Sequence, residues 1–200
     1  MQPTKSVTSD TRAPTEAILA WRNLSLDDIN DLISIANEIH PDLPESIQVF
    51  SERINLFPEG CLALEASTSD GKITSELCGY AISHPIIRRQ PPALDALLGE
   101  ISPSADQYYI HDLALLPKAR GCGSAQEGVG KLLAIAARYE TTALVSVYNS
   151  APFWNRFGFV AGGTDEVLER KLREYGDDAV FLERQNGNHE SMARGNTRVV

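Results

Sequence analysis

Two hundred residues is the length of one ordinary domain with modest ends, too short for a multidomain machine or a large α/β barrel, so a single hydrophobic core is expected. Hydrophobic residues make up 42% and charged residues 22%, ordinary globular usage that excludes disordered, collagen-like and disulfide-scaffold classes. A net charge of −9 argues against broad contact with phosphate backbones, and no nucleic-acid partner is expected. The longest apolar run, Leu132 to Ala137, falls far short of the ~20 residues that span a bilayer, so no membrane partner is expected either. The first fifteen residues lack the apolar segment of a secretory signal, which makes a cytoplasmic address, or a nuclear one, the default. Cys61, Cys78 and Cys122 contain no CxxC pair, and His40, His84, His111 and His189 contain no HExxH. Neither a disulfide framework nor a metal site is expected.

In chain order, residues 1–14 read as a polar tail. A strand over Ala17 to Trp21 precedes Ser25, an N-cap with Asp28 three residues on as a variant capping box. Leu26, Ile29, Leu32, Ile33, Ala36 and Ile39 then form one helical stripe that ends before Pro41. A second helix covers Ser46 to Leu56. Residues 61–66 and 76–83 read as two antiparallel strands around the Asp70-Gly71 turn signal. His84-Pro85 opens a long loop to about Asp106 that carries Pro91-Pro92, and loops of that length are often functional. A buried strand follows at 108–116, stopped by Pro117, and then the glycine-punctuated Arg120-Gly121-Cys122-Gly123-Ser124-Ala125. Val129, Leu132, Leu133 and Ala136 mark the helix after it. Strand 143–148, short helix 150–156, strand 158–160, a polar helix near 166–175 and a last strand at 178–184 complete the domain, and 186–200 reads as a second tail. The class is α+β, or mixed α/β, around a single central sheet.

The chemistry lies in the strand, glycine loop, helix segment. Glycines there let consecutive N–H groups converge at a helix N-terminus, a geometry that suits phosphate, although a plain solvated turn fits the same residues. Lys118, Arg120, Lys131 and Arg138 against Glu127 give this segment a local +3. A Walker A pattern ending at Gly130-Lys131 fails at Ala125 and Leu132, and a G-x-G-x-x-G starting at Gly121 fails at Gln126.

The loop resembles the acetyl-CoA pyrophosphate signature of the GNAT N-acetyltransferase superfamily, Q/R-x-x-G-x-G/A, read as Arg120, Gly123 and Ala125. Residues 150–160, SAPFWNRFGFV, are similar to the family's closing segment, with its glycine-phenylalanine pair. The resemblance implies one domain over 15–185 with a mixed, mostly antiparallel sheet flanked by helices. It also implies acetyl-CoA as co-substrate, held by Arg120, Gly121, Cys122, Gly123, Ser124 and Ala125 and by the main chain of Leu113, Ala114 and Leu115. HDLAL at 111–115 and the proline-containing excursion look most like the arylalkylamine N-acetyltransferase branch. That likeness makes His111 the proton acceptor; Tyr109 stands where the branch has a second histidine, and Trp154 where it has a tyrosine acid. Tyr148 is the alternative proton donor. Regular alternation would put Tyr109, His111 and Leu113 on one strand face and Asp112, read as structural, on the other. Phe153, Trp154, Tyr80, Tyr108 and Tyr109 are candidates to line an aromatic acceptor pocket under the long loop, with Tyr109 and Trp154 chosen as substrate-binding. The expected activity is direct acetyl transfer to a primary amine, small and of arylalkylamine type. Acetylation of a protein or peptide, or acyl-CoA binding without catalysis, are the alternatives.

Overall fold

The computed structural model describes residues 17–68 and 76–187. The Asp70-Gly71 turn, the N-terminal tail and all of the C-terminal tail beyond Gly187 lie outside them. Seven strands form one sheet in the order β1-β2-β3-β4-β5-β7-β6: Ala17–Asn23, Cys61–Thr68, Glu76–Ile86, Gln107–Leu115, Thr141–Ser146, Val160–Ala161 and Val180–Gln185 for β1 to β7. Every neighbouring pair is antiparallel except β4 and β5, which run parallel, so the sheet is mixed and mostly antiparallel. Helices α1 (Ile29–Ile39) and α2 (Ile47–Leu56) supply Leu32, Ile35, Ala36, Phe50 and Ile54 to one core cluster, closed on the sheet by Ala63, Tyr80 and Ile82. Helices α3 (Ser124–Ala136) and α4 (Ala151–Asn155) bury Val129, Leu132, Ala136 and Trp154 in another, with Leu64, Tyr108, Ile110 and Leu115. A third, smaller cluster joins Leu168 of α5 (Glu166–Leu172) to Ile86, Tyr109 and Phe181.

Local signals act as read at the start of α1. The Asp28 carboxylate accepts from the Ser25 backbone N–H at 2.9 Å, and a 3-10 turn, Leu26–Asp28, leads into the helix. Leu26 sits on this turn and stays largely exposed. Asp165 caps α5 by accepting from the Leu168 N–H at 2.8 Å. Asn186, where the expected C-terminal tail begins, bonds through its side-chain amide to the carbonyls of Ala136 and Tyr139.

Two segments differ from expectation. Strand β3 does not break at His84-Pro85 but runs to Ile86, pairing Pro85 with Tyr108 of β4. Its pairing with β2 ends at Ile82, so the proline lies where only one flank of β3 has a partner, a position that tolerates a missing N–H. Strand β5 ends at Ser146 instead of continuing to 148, because Tyr148 and Asn149 adopt left-handed backbone angles, φ 52° and 54°.

The long connection is therefore 87–106, and it is fastened at several points. The buried Arg53 guanidinium donates to the Ala96 carbonyl at 2.7 Å. The Glu52 carboxylate accepts from the N–H groups of Leu98 and Gly99. From the other side, Lys171 and the Tyr175 hydroxyl donate to the carbonyls of Pro91 and Pro92.

Candidate active site

Pro117 ends β4, and the chain turns through Arg120 to Gly123 before entering α3. Gly121 and Gly123 hold φ of 82° and 90°, angles free to glycine and strained for other residues, and no atom lies within 4 Å of where a Cβ would sit on either. The loop backbone is thus open to an approaching group at the positive end of a helix. Its position is fixed from β1, where the Trp21 indole N–H donates to the Ser124 carbonyl at 2.8 Å. Arg120 donates through Nε to the Leu115 carbonyl. The expected local +3 is smaller in the fold, since Lys118 pairs with Glu76 and Arg138 with Glu59, leaving the segment near +1.

Parallel strands β4 and β5 pair only over Gln107–Tyr109 and Thr141–Ala143. Beyond Tyr109 they have no common ladder, and a cavity of about 760 Å³ is bordered by the parted ends of both: Ile110, Leu113 and Leu115 on one side, Leu144, Val145 and Val147 on the other. The same cavity takes in Arg120, Gly121, Gly123 and Ala125, and also His111, Asp112 and Glu45. Phe153 and Trp154 of α4, Tyr148 and Tyr175 add aromatic surface, and Leu94 contributes from the 87–106 segment.

The β3–β4 register skips one residue: Ile82 opposes Asp112 and Ser83 opposes Ile110, leaving His111 as the extra residue of a bulge. The bulge inverts the alternation of side chains. Tyr108 and Ile110 share the α3 side with Leu113 and Leu115, while Ala114 falls in the α1–α2 cluster. Regular alternation is thereby overturned: Tyr109 and Leu113 do not share a face, and Asp112 borders the cavity together with His111.

Two histidine–carboxylate pairs stand there. His111 Nε2 lies 2.8 Å from Glu45 Oε2, with side chains 3% and 8% exposed. His40, which follows the last residue of α1, places Nε2 3.0 Å from Asp112 Oδ1, and the Tyr80 hydroxyl donates to Asp112 Oδ2. Burial works against charge on Asp112, but the His40 charge and the bonds from His40 and Tyr80 prevail and hold its carboxyl below the usual range. Burial likewise lowers His40, yet the charge of and bond to Asp112, with Glu45, outweigh it and raise the imidazole above its ordinary value. His84, fully buried beside His111, is pushed well down, first by burial and then by His111.

Of the residues singled out from sequence, His111, Leu113, Leu115, Arg120, Gly121, Gly123, Ala125, Tyr148 and Trp154 border this one cavity. Ala114 and Ser124 are buried beside it, and Cys122 is exposed on the loop, its thiol lowered by the bond to Ser124. Tyr109 lies behind the wall, 1% exposed, with its hydroxyl on that of Tyr175. Tyr80 and Tyr108 are buried too, bonded to Asp112 and Ser83. His40, Glu45 and Tyr175 are given no role at the site by the sequence reading; only His40-Pro41 at a helix end and a Pro-Glu-Ser entry to α2 mark the first two. Among the described residues no cluster of three or more His, Cys, Asp or Glu side chains is placed to hold a metal ion. Among the same residues no helix is long and apolar enough to cross a membrane.

An open glycine loop before a helix, joined through parted parallel strands to two histidine–carboxylate pairs, makes a cavity suited to a ligand with an anionic, phosphate-like end. The sequence matches the Acetyltransferase (GNAT) family over residues 26–159, and the chain belongs to that family, acetyltransferases that use acetyl-CoA. No curated protein matches the chain. The fold is similar to the loading GNATL domain of CurA from Lyngbya majuscula, TM-score 0.66 at 14% identity over 84% of this chain and 98% of that one. It is also similar to Arabidopsis thaliana Naa50 in complex with the bisubstrate analogue CoA-Ac-MVNAL, TM-score 0.58 at 14% identity over 84% and 98%. N-acetylglutamate synthase from Neisseria gonorrhoeae, complexed with coenzyme A and N-acetyl-glutamate, aligns with TM-score 0.58 at 20% identity over 86% of this chain and 36% of that one. At these identities the likeness speaks to fold alone.

Proposed function

We propose that the chain transfers an acetyl group from acetyl-CoA directly to the primary amine of a small molecule, arylalkylamines being the first acceptors to try. The observation that carries this reading is the continuity of one cavity from Gly121 and Gly123 to the His111–Glu45 pair. Residues 120–125 would hold the pyrophosphate by their backbone N–H groups and the start of α3. The main chain of Leu113, Ala114 and Leu115, on the edge of β4 that β5 leaves, would hold the pantetheine, with the Leu113 N–H facing the developing oxyanion. An ammonium acceptor must lose a proton before it attacks, and the His111–Glu45 pair takes it. With Nε2 held by Glu45, the pair works as a unit, Glu45 orienting the ring. A small acceptor is favoured over a polypeptide because the 87–106 segment, whose Leu94 borders the cavity, is fastened to α2 and to the end of α5. Phe153, Trp154, Tyr148 and Tyr175 offer flat apolar contact to an aromatic amine.

The test is initial-rate kinetics with acetyl-CoA and acceptor both varied. Direct transfer gives intersecting double-reciprocal lines and a higher kcat/KM for small amines than for peptides with a free N-terminus. Parallel lines would overturn direct transfer, and a preference for peptides would overturn the small acceptor.

A further inference from the structure

The Glu45 carboxylate is 8% exposed, so its oxygens take their hydrogen bonds from protein groups. Oε2 faces His111 Nε2, and Oε1 accepts from the Asp95 N–H at 3.3 Å. Asp95 belongs to the 87–106 segment, and its own carboxylate returns to the same place: Oδ1 accepts from the Ser46 N–H at 2.7 Å, with the Ser46 hydroxyl bonded to it as well. Resting on the acyl-transfer reading above, we propose that Asp95 is a positioning residue. It grips the Glu45-Ser46 link and so holds Glu45 on His111, which makes the seated 87–106 segment part of the proton-accepting unit as well as a cover for the acceptor.

Asp95 is the third residue of a turn in which the Ala96 N–H bonds the Ala93 carbonyl, and its backbone is left-handed, φ 55°. Glycine adopts that angle freely; a residue with a side chain keeps it only where its surroundings hold it there. Both neighbours are placed: Leu94 borders the cavity, and the Ala96 carbonyl accepts from the buried Arg53. Ser46 directly precedes α2, yet its hydroxyl caps none of that helix's N–H groups and is turned to Asp95. The bonds from Ser46, its N–H first and its hydroxyl second, hold the Asp95 carboxyl below the usual range, so it stays an ionised acceptor at the start of α2, where the helix favours an anion. The two carboxylates thus exchange backbone donors, Glu45 taking the Asp95 N–H and Asp95 taking that of the residue after Glu45.

The other fasteners of the segment end elsewhere. Glu52 accepts from Leu98 and Gly99, while Lys171 and Tyr175 donate to Pro91 and Pro92. These hold the segment in place; Asp95 joins it to Glu45. Leu94 touches whatever fills the cavity, and the peptide unit between Leu94 and Asp95 is the one whose N–H bonds Glu45. The seating of an acceptor therefore reaches Glu45 through a single peptide unit. Asp95 itself does not line the cavity, so its loss falls on turnover and spares coenzyme binding.

Two measurements on the full chain decide the role of Asp95. The first is steady-state kinetics of wild type, Asp95→Gly, Asp95→Asn and Lys171→Met with acetyl-CoA and a small primary amine. Glycine keeps the left-handed backbone and removes the carboxylate, so kcat is expected to fall about tenfold with the KM for acetyl-CoA unchanged. Asparagine tolerates the same angle and still offers an oxygen to the Ser46 N–H, so kcat is expected to return to within about threefold of wild type. Lys171→Met frees only Pro91 and is expected to keep kcat within about twofold. The second measurement needs no turnover: exchange with water of the His111 Nε2 proton, followed by nitrogen-edited proton NMR and assigned by its absence from His111→Gln. That proton is expected to exchange about tenfold faster in Asp95→Gly than in wild type, with the His40 Nε2 proton on Asp112 unmoved as the internal reference. Wild-type kcat in Asp95→Gly, no recovery in Asp95→Asn, an equal loss in Lys171→Met, or equal exchange of the His111 proton in Asp95→Gly and wild type overturns the proposal. If no amine accelerates thiol release, the acyl-transfer reading fails, and the ring-proton exchange still decides Asp95.

Discussion

Gly128, in α3, faces the Trp21 ring that locates the glycine loop, and replacing it with alanine sets two known effects against each other. In an exposed helix, glycine to alanine stabilises by about 1 kcal/mol. Here the added Cβ would lie 2.6, 2.9 and 3.2 Å from three atoms of the six-membered ring of Trp21. Overpacking of that kind costs roughly 1–3 kcal/mol in a close-packed core. Clash outweighs propensity by about 1 kcal/mol, which for a domain of this size lowers Tm by roughly 2–4 °C. The indole N–H is bonded to the Ser124 carbonyl, so any shift of the ring or of α3 also moves the loop, and acetyl-CoA affinity falls with stability. Thermal unfolding and calorimetric titration of wild type, Gly128→Ala, Trp21→Phe and the double variant give the full cycle. Phenylalanine removes the outer ring, so Gly128→Ala in that background should be neutral or stabilising. A Gly128→Ala protein that melts higher than wild type and binds acetyl-CoA unchanged would refute the reasoning.

Gly123→Val both strains the backbone at φ 90° and fills the open side of the loop, so acetyl-CoA affinity should drop at least about tenfold by calorimetry; unchanged affinity would remove residues 120–125 from the coenzyme site. Cys122, exposed and with its thiol lowered by Ser124, should react with a disulfide reagent before Cys61, which is fully buried and pushed up to about 12 by burial; saturating acetyl-CoA should slow that reaction, as peptide mapping would show. The Asp28 carboxyl is lowered from 3.8 to about 2, chiefly by its bond from Arg22 against the cost of burial. Its stabilisation is therefore present above about pH 4 and lost as pH falls towards 2. The difference in Tm between wild type and Asp28→Asn should shrink over that interval and stay flat above it.

What the sequence makes legible is what neighbouring residues decide. The Ser25–Asp28 cap, the α1 stripe, the stop at Pro117 and the glycine loop with its helix all lie within a few residues of their cause. Partners distant in sequence are not legible in the same way. Pro85 continues a strand because β4 lies on one side and β2 has ended on the other. The bulge at His111 exists only in the pairing with β3, and it alone turns Asp112 from an expected structural residue into a cavity wall. Glu45 and His111 are 66 positions apart, His40 and Asp112 72, and neither periodicity nor motif spacing joins residues across such distances. The excursion expected from His84 to about Asp106 is legible as a proline-containing loop, but the fastening of its 87–106 part to α2 depends on Glu52 and Arg53, which on a helix read as an ordinary charged pair.

The most direct test of the account is release of free thiol from acetyl-CoA by the purified protein, with and without arylalkylamines, polyamines, amino acids and a lysine peptide, each product checked by mass. The account predicts that small primary amines accelerate release and gain one acetyl group, arylalkylamines most of all. Release at the acceptor-free rate throughout, with acetyl-CoA still raising Tm, would contradict it and leave a protein that binds acyl-CoA without transferring the acyl group to these amines.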